Sequence, residues 1–159
     1  MGQAELQRSY LPVSDVNWLL HRAAQRFGEA MEQAATRHGG SMRGYLVLSV
    51  LVKDPGRSQL AICSALALDK TTLTSVLDRL EQHGMVIRRP DPTDRRVRIP
   101  EITDAGRELQ QRIGAAVRTV ENELLGTLAE GDQEQLRAIL LRLIGGEHGA
   151  AAPSAGSCI

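Results

Sequence analysis

The chain has 159 residues, 42% of them hydrophobic, which suits one domain with a real core. Its 19 Lys and Arg balance 19 Asp and Glu, so any affinity for a polyanion must come from where the cations lie, not from their sum. No apolar run reaches the roughly 18 residues a transmembrane helix needs, so no membrane partner is expected. In chain order, residues 1–12 read as a loosely held arm ending at Pro12. MGQAELQRSY lacks the basic start and apolar core of a signal peptide, which points to residence in the cytoplasm. Ser14 or Asp15 is placed to cap a long helix running to about Arg37. Val16, Leu20, Ala23, Phe27, Ala30, Met31 and Ala34 form a stripe along it. Such a helix is about 30 Å long or more, so part of the stripe is expected to meet a second subunit. His38-Gly39-Gly40 ends it. Ser41 starts a second helix, nearly apolar all round through Tyr45, Leu46, Leu48, Val50, Leu51 and Val52, and therefore central and buried. Lys53-Asp54-Pro55-Gly56 is a turn.

Residues 58–103 organise the rest. Ser58 can cap a short helix, with Leu60, Ala61, Ala65 and Leu66 at helical spacing. Asp69 is the next cap, opening a helix from Lys70 to His83. Leu73, Val76, Leu77 and Leu80 fall on one face; Lys70, Thr71, Thr74, Ser75, Asp78, Arg79 and Gln82 fall on the other. Gly84 supplies a left-handed C-terminal cap. Two helices joined by a short turn, the second with a small, hydroxyl-rich outer face, suit insertion into a major groove. An ordinary amphipathic surface helix has the same pattern, so the helix alone does not decide. Met85 to Arg89 reads as a strand and Pro90-Asp91-Pro92-Thr93-Asp94 as a turn. Arg95 to Ile102 reads as the return strand, Val97 and Ile99 on one face and Arg96 and Arg98 on the other. The hairpin carries Arg88, Arg89, Arg95, Arg96 and Arg98 against Asp91 and Asp94. Guanidinium groups there suit phosphates and a narrow minor groove; the competing reading is a solvated, salt-bridged hairpin.

Thr103 caps the following helix. Leu109, Ile113, Ala116, Val117, Val120, Leu124 and Leu128 give it a long stripe, broken at Gly131-Asp132. Leu136, Ile139, Leu140, Leu143 and Ile144 belong to a final amphipathic helix. From Gly145 the sequence GGEHGAAAPSAGSCI reads as a flexible tail.

The segments Leu60-Ala61, Leu68-Asp69, Thr71-Thr72-Leu73-Thr74, Leu77-Asp78-Arg79-Leu80-Glu81, Gly84, Arg88-Arg89, Asp94-Arg95-Arg96 and Ile102-Thr103-Asp104-Ala105-Gly106-Arg107 resemble the MarR family of bacterial transcription regulators. The D-x-R pattern followed by (L/I)-T-x-x-G carries most of the specificity. Ile102 stands where the family usually has Leu, and Cys63 where a charged or polar residue is common. The resemblance implies a mainly α fold with a small β-hairpin wing, a winged helix-turn-helix whose N- and C-terminal helices form a dimer base. The expected organisation is an arm and dimerisation helix over 1–37, the DNA-binding region over 41–103, C-terminal dimerisation helices over 104–144, and a tail over 145–159. It further implies that Asp94 orients Arg96 into the minor groove, beside Arg95 and Arg98. Thr71, Thr74 and Ser75 would face the major groove, with Lys70 and Arg79 on bases or phosphates and Gln59 on a backbone phosphate. Asp78 is expected to pair with Arg79 or another basic group.

The implied partners are double-stranded DNA and a second copy of the chain. The implied role is a regulator, a repressor by family habit, on a pseudo-palindromic operator. A small aromatic or anionic effector is expected between dimer base and reading module, near Trp18, His21, Arg22, Arg43 and Tyr45. Each of these residues has a plainer reading as core or surface. Enzymatic function finds no Gly-rich phosphate loop, H-E-x-x-H or G-x-S-x-G. His21, His38, His83 and His148 show no metal spacing, so no catalytic residue, metal or cofactor is expected. Cys63 and Cys158 fit no metal spacing, and a cytosolic disulfide is not expected. Two alternatives remain: a winged-helix module for protein contact or dimerisation, and a thiol-based redox-sensing regulator using Cys63. Against the second, Cys63 has no base or cation beside it in sequence and is expected to be a buried structural residue.

Overall fold

Capping chemistry sets where the helices begin. The computed structural model describes residues 15–91, 94 and 97–145. Helix α1 (Val16–Arg37) starts at Asp15, whose carboxylate accepts the N–H groups of Asn17 and Trp18. Helix α2 (Met42–Lys53) starts at Ser41, whose Oγ accepts the Gly44 N–H, while Glu32 on α1 accepts the Met42 N–H at 2.9 Å. Ser58 opens α3 (Gln59–Leu66) and Asp69 opens α4 (Lys70–Gln82), each accepting a first-turn amide. Strands β1 (Val86–Pro90) and β2 (Arg98–Ile102) pair antiparallel, Val86 opposite Ile102 and Arg88 opposite Pro100. Thr103 opens α5 (Asp104–Leu125), and α6 (Glu130–Leu143) follows Ala129 without a side-chain cap. The arm, the alternative cap Ser14 and the tail beyond Gly145, with Cys158, lie outside the described residues.

The core forms where α2 crosses α5. Val47, Leu48 and Leu51 of α2 meet Leu109, Ile113 and Val117 of α5, with Ala35, Ile62, Cys63, Leu73, Leu77, Leu80 and Val86 around them. Helix α2 is central, as expected, but not buried all round: Leu46 and Val52 face outward. The stripe expected on α3 is also corrected. Leu60 is 78% exposed, and Ile62 and Cys63 take the inward positions. The helix is short and apolar at most positions, so several faces satisfied its periodicity.

The wing differs from the sequence reading at its return strand. Ladder pairing starts at Arg98, not Arg95, and Val97 lies outside it. The inward face is Val86, Arg88, Pro100 and Ile102, so Pro100 fills the position expected of Val97 and Ile99. The T-x-x-G motif acts as a clasp at the base of the wing. Thr103 Oγ1 donates to the Gly84 carbonyl at 2.7 Å and accepts the Gly106 N–H at 3.1 Å. The Thr103 N–H donates to the Met85 carbonyl.

Helix α5 ends at Leu125, with Gly126 as its cap, so Gly131 and Asp132 lie in the first turn of α6 and do not break the preceding helix. Leu125, not Leu124, is the buried member of that turn. Helix α6 buries no residue and α1 buries only Ala34 and Ala35. Val16, Leu19, Leu20, Leu141, Leu143 and Ile144 all face outward. Among the described residues no single helix is long and apolar enough to cross a membrane.

Candidate nucleic-acid interface

The α4 face opposite the core is built from its N-cap. Asp69 accepts the Thr72 N–H at 2.8 Å and the Thr72 hydroxyl at 2.6 Å. The Thr72 hydroxyl bond, then the backbone amides, hold the Asp69 carboxyl below its ordinary value of 3.8. Behind this cap Leu73, Leu77 and Leu80 are buried, which leaves Lys70, Thr71, Ser75 and Arg79 exposed and Thr74 half-buried. The Thr74 hydroxyl donates to the Lys70 carbonyl at 2.8 Å, so it has only lone pairs left to offer. Gly84, at φ 71°, turns the chain out of α4, with its N–H on the Glu81 carbonyl and the Met85 N–H on that of Leu80. That pair of bonds is the Schellman closure expected of a glycine there.

Gln59 is half-buried at the start of α3. Arg98 is exposed at the mouth of the hairpin, and Asp94 is exposed in the turn. The turn is drawn tight by the Asp91 and Val97 backbones at 2.9 Å and by the Asp94 N–H on the Asp91 carboxylate at 3.2 Å. Arg95 and Arg96 lie outside the described residues, and with them the expected Asp94–Arg96 contact.

The described hairpin arginines, Arg88, Arg89 and Arg98, are not equivalent. Arg88 is ion-paired with Asp78 and, at 3.5 Å, with Glu81. Arg89 pairs with Glu101 across the ladder at 2.8 Å. Asp78 therefore pairs with a basic group, but with Arg88 across the fold and not with its neighbour Arg79. Sequence offered no signal for this, since Arg88 and Asp78 meet only once the hairpin folds back on α4.

A cavity of about 940 Å³ lies between α1, α2 and α4. Arg43, Tyr45, Met31, Met42, Thr71, Ser75, Arg79 and His83 are among its walls. Of the residues expected near an effector, Arg43 and Tyr45 line it; Trp18, His21 and Arg22 do not. Those three sit about 9–15 Å along α1 from Gly28, the cavity's nearest residue on that helix, and Arg22 is bonded to Gln25 at 2.8 Å. Glu32, Met31 and His83 were not anticipated, because the cavity joins segments distant in sequence.

Cys63 is buried, and burial, then the Asp69 charge, push its thiol above the ordinary 9.0 despite the opposing Lys70. That leaves it protonated and weakly nucleophilic near neutral pH. Among the described residues no group of three or more His, Cys, Asp or Glu is arranged to hold a metal ion.

Two helices at a short turn, an exposed hydroxyl-bearing second helix and a clasped hairpin define a winged helix-turn-helix, the architecture of a DNA-binding regulator. Residues 43–97 match the sequence model of the MarR family. The regulator PecS of Dickeya dadantii is 31% identical over 127 residues, covering 78% of this chain and 76% of PecS. The chain belongs to the MarR family of transcriptional regulators. The repressor CouR bound to a 23-mer DNA duplex superposes with a TM-score of 0.77 at 27% identity, covering 90% of this chain and 97% of CouR. CouR from Rhodococcus jostii bound to p-coumaroyl-CoA gives 0.74 at 25% identity, over 87% and 97% of the two chains.

Proposed function

We propose that the protein is a cytoplasmic, homodimeric repressor that binds a pseudo-palindromic duplex sequence-specifically and is released by a small aromatic or anionic effector. The observation that carries the DNA reading is the outer face of α4. Lys70, Thr71, Ser75 and Arg79 stand clear of the core on a helix fixed at both ends. Small hydroxyl side chains allow close approach to base edges, and the cations supply base or phosphate contacts. Asp94, Arg95, Arg96 and Arg98 would follow the adjacent minor groove, and Gln59 a backbone phosphate. The homodimer is supported by the unburied apolar residues of α1 and α6. A twofold copy would cover them and set two recognition helices about 34 Å apart on one duplex.

Release is supported by the cavity, whose walls include both α2 and the recognition helix. An anion held between Arg43 and Arg79 would favour one placement of α4 over another. It would loosen DNA by its differential affinity for the two placements. CouR, which holds p-coumaroyl-CoA, gives the chemical class with which to begin. The family is one of transcription regulators, and we place this chain's action in binding, not catalysis. The protonated Cys63 speaks against the thiol-switch alternative.

The test is fluorescence anisotropy across a salt series. It compares the best duplex selected from genomic fragments with a random duplex of equal length. We expect tight binding to the first, weak binding to the second and a steep salt slope. Equal weak binding after selection would overturn the reading in favour of a protein-interaction module.

A further inference from the structure

We propose that Arg88 is a positioning residue, holding the wing at a fixed place on the recognition helix and making no DNA contact of its own. This rests on the DNA-binding reading above. Arg88 lies on the inner face of the hairpin, opposite Pro100. Its Nη2 bonds to Asp78, its Nε lies 3.5 Å from Glu81 Oε2, and its backbone N–H donates to Glu81 Oε1 at 3.2 Å. Asp78 and Glu81 stand one turn apart on the same flank of α4, so side chain and main chain of one strand residue are tied to one helix.

Exposure separates Arg88 from Arg89 of the same strand, whose side chain is 64% exposed. The Arg88 side chain is 18% exposed, against 59% for Asp78 and 44% for Glu81. Its Nε is closed to solvent and makes no aligned hydrogen bond among the described residues. A guanidinium in this position is balanced by the two carboxylates, and turning it toward a phosphate would leave Asp78 without this cation, and Glu81 with only the Arg88 backbone N–H, beside DNA. Arg98, exposed at the hairpin mouth, is the contrasting case. The planar fork of Arg fixes an angle between its partners that the single ammonium of Lys does not. The clamp thus makes α4 and the wing one pre-ordered reader, whose spacing is set before the duplex arrives.

The experiment compares Arg88→Ala, Arg88→Lys, Asp78→Asn, Glu81→Gln and the Asp78→Asn/Arg88→Ala pair on selected and random duplexes across salt. Arg88→Ala is expected to lose roughly tenfold on the selected duplex, and the double variant to be no worse than Arg88→Ala alone. Because Arg88→Ala leaves carboxylate charge unbalanced beside DNA, a smaller loss is expected on the random duplex, with the salt slope unchanged; Arg88→Lys should restore the random-duplex affinity but not the discrimination. Asp78→Asn removes a negative charge that repels DNA, yet it too should lose discrimination. A parallel loss on both duplexes, with the salt slope smaller by about one, would mark a phosphate contact and overturn the proposal. Improved or unchanged discrimination in Asp78→Asn would also overturn it. Amide exchange of β1 gives a readout without DNA. The two carboxylate variants lie at the surface and should keep the fold, and both should speed exchange at Arg88. Unchanged exchange overturns the clamp even if the wild type binds no specific duplex, an outcome that would by itself count only against the DNA reading.

Discussion

Gly106 shows how much a single position carries. A Cβ built there would meet the Met85 carbonyl oxygen at 2.2 Å and the Ile102 side chain at 2.8 Å. The nearer neighbour is backbone, and that carbonyl already accepts the Thr103 N–H at 3.1 Å. Gly106 therefore lets the first turn of α5 press against the chain leaving α4, while Thr103 pins the same junction through the Gly84 carbonyl. The (L/I)-T-x-x-G pattern is a packing requirement before it is a family signature. Gly106→Ala is expected to cost about 1–3 kcal/mol, the usual range for overpacking a site that cannot relax. Urea denaturation of the purified variant measures it, and a loss within error of zero would show that the junction yields.

At the scale of the element, the start of α4 links charge to helix stability. The Asp69 carboxyl is depressed below 3.8 mainly by the Thr72 hydroxyl, then by backbone amides. A depressed carboxyl gives stability that is complete above its unfolded value and is lost as pH falls through the folded one. Asp69→Asn keeps a capping oxygen but has no charge to titrate. The wild type should therefore melt higher than Asp69→Asn at pH 6, with the gap closing as pH drops below 3.8. Thermal melts at a series of pH values test this, and a gap constant with pH would count against a charged cap. Such caps were legible in the sequence because capping is local: Asp69, Ser41, Ser58, Thr103 and Gly84 act within a few residues of themselves. What the sequence did not reveal depends on distant neighbours. Leu60 shares its helix with Ile62 and Cys63, and only the position of α2 decides which side is inward. Arg88 looked like Arg98 until the hairpin laid it against Asp78. The cavity residues Met31, Arg43, Arg79 and Tyr45 come from three helices, and no spacing along the chain predicts their meeting.

At the scale of the whole molecule, the protomer has apolar surface in excess of what it can cover. Helix α6 is tied to α5 by an Arg137–Glu121 ion pair at 3.3 Å, yet buries nothing. Leu141, Leu143 and Ile144 remain 57%, 65% and 62% exposed. Near the other end of the described chain, Val16 is 67% exposed. Isolated exposed apolar residues are ordinary, but α6 buries no residue fully, with Leu136 and Ile139 of its apolar stripe only half-buried, and a helix so lightly packed gains little from its own chain. A second copy packed on these helices would bury them and join two reading modules in one symmetric body. Leu143→Asp tests that arrangement without disturbing the protomer core, since the side chain has few neighbours to lose. Light scattering should then show monomer where the proposal expects a wild-type dimer, while far-ultraviolet circular dichroism keeps most of its helical signal. Affinity for the selected duplex should fall with it, because one module alone contacts one half-site. The salt slope should shrink toward half, as the phosphate contacts of one protomer are lost. A Leu143→Asp protein that remains dimeric and binds as before would place the dimer contact elsewhere, and with it the geometry that sets the two recognition helices on one duplex.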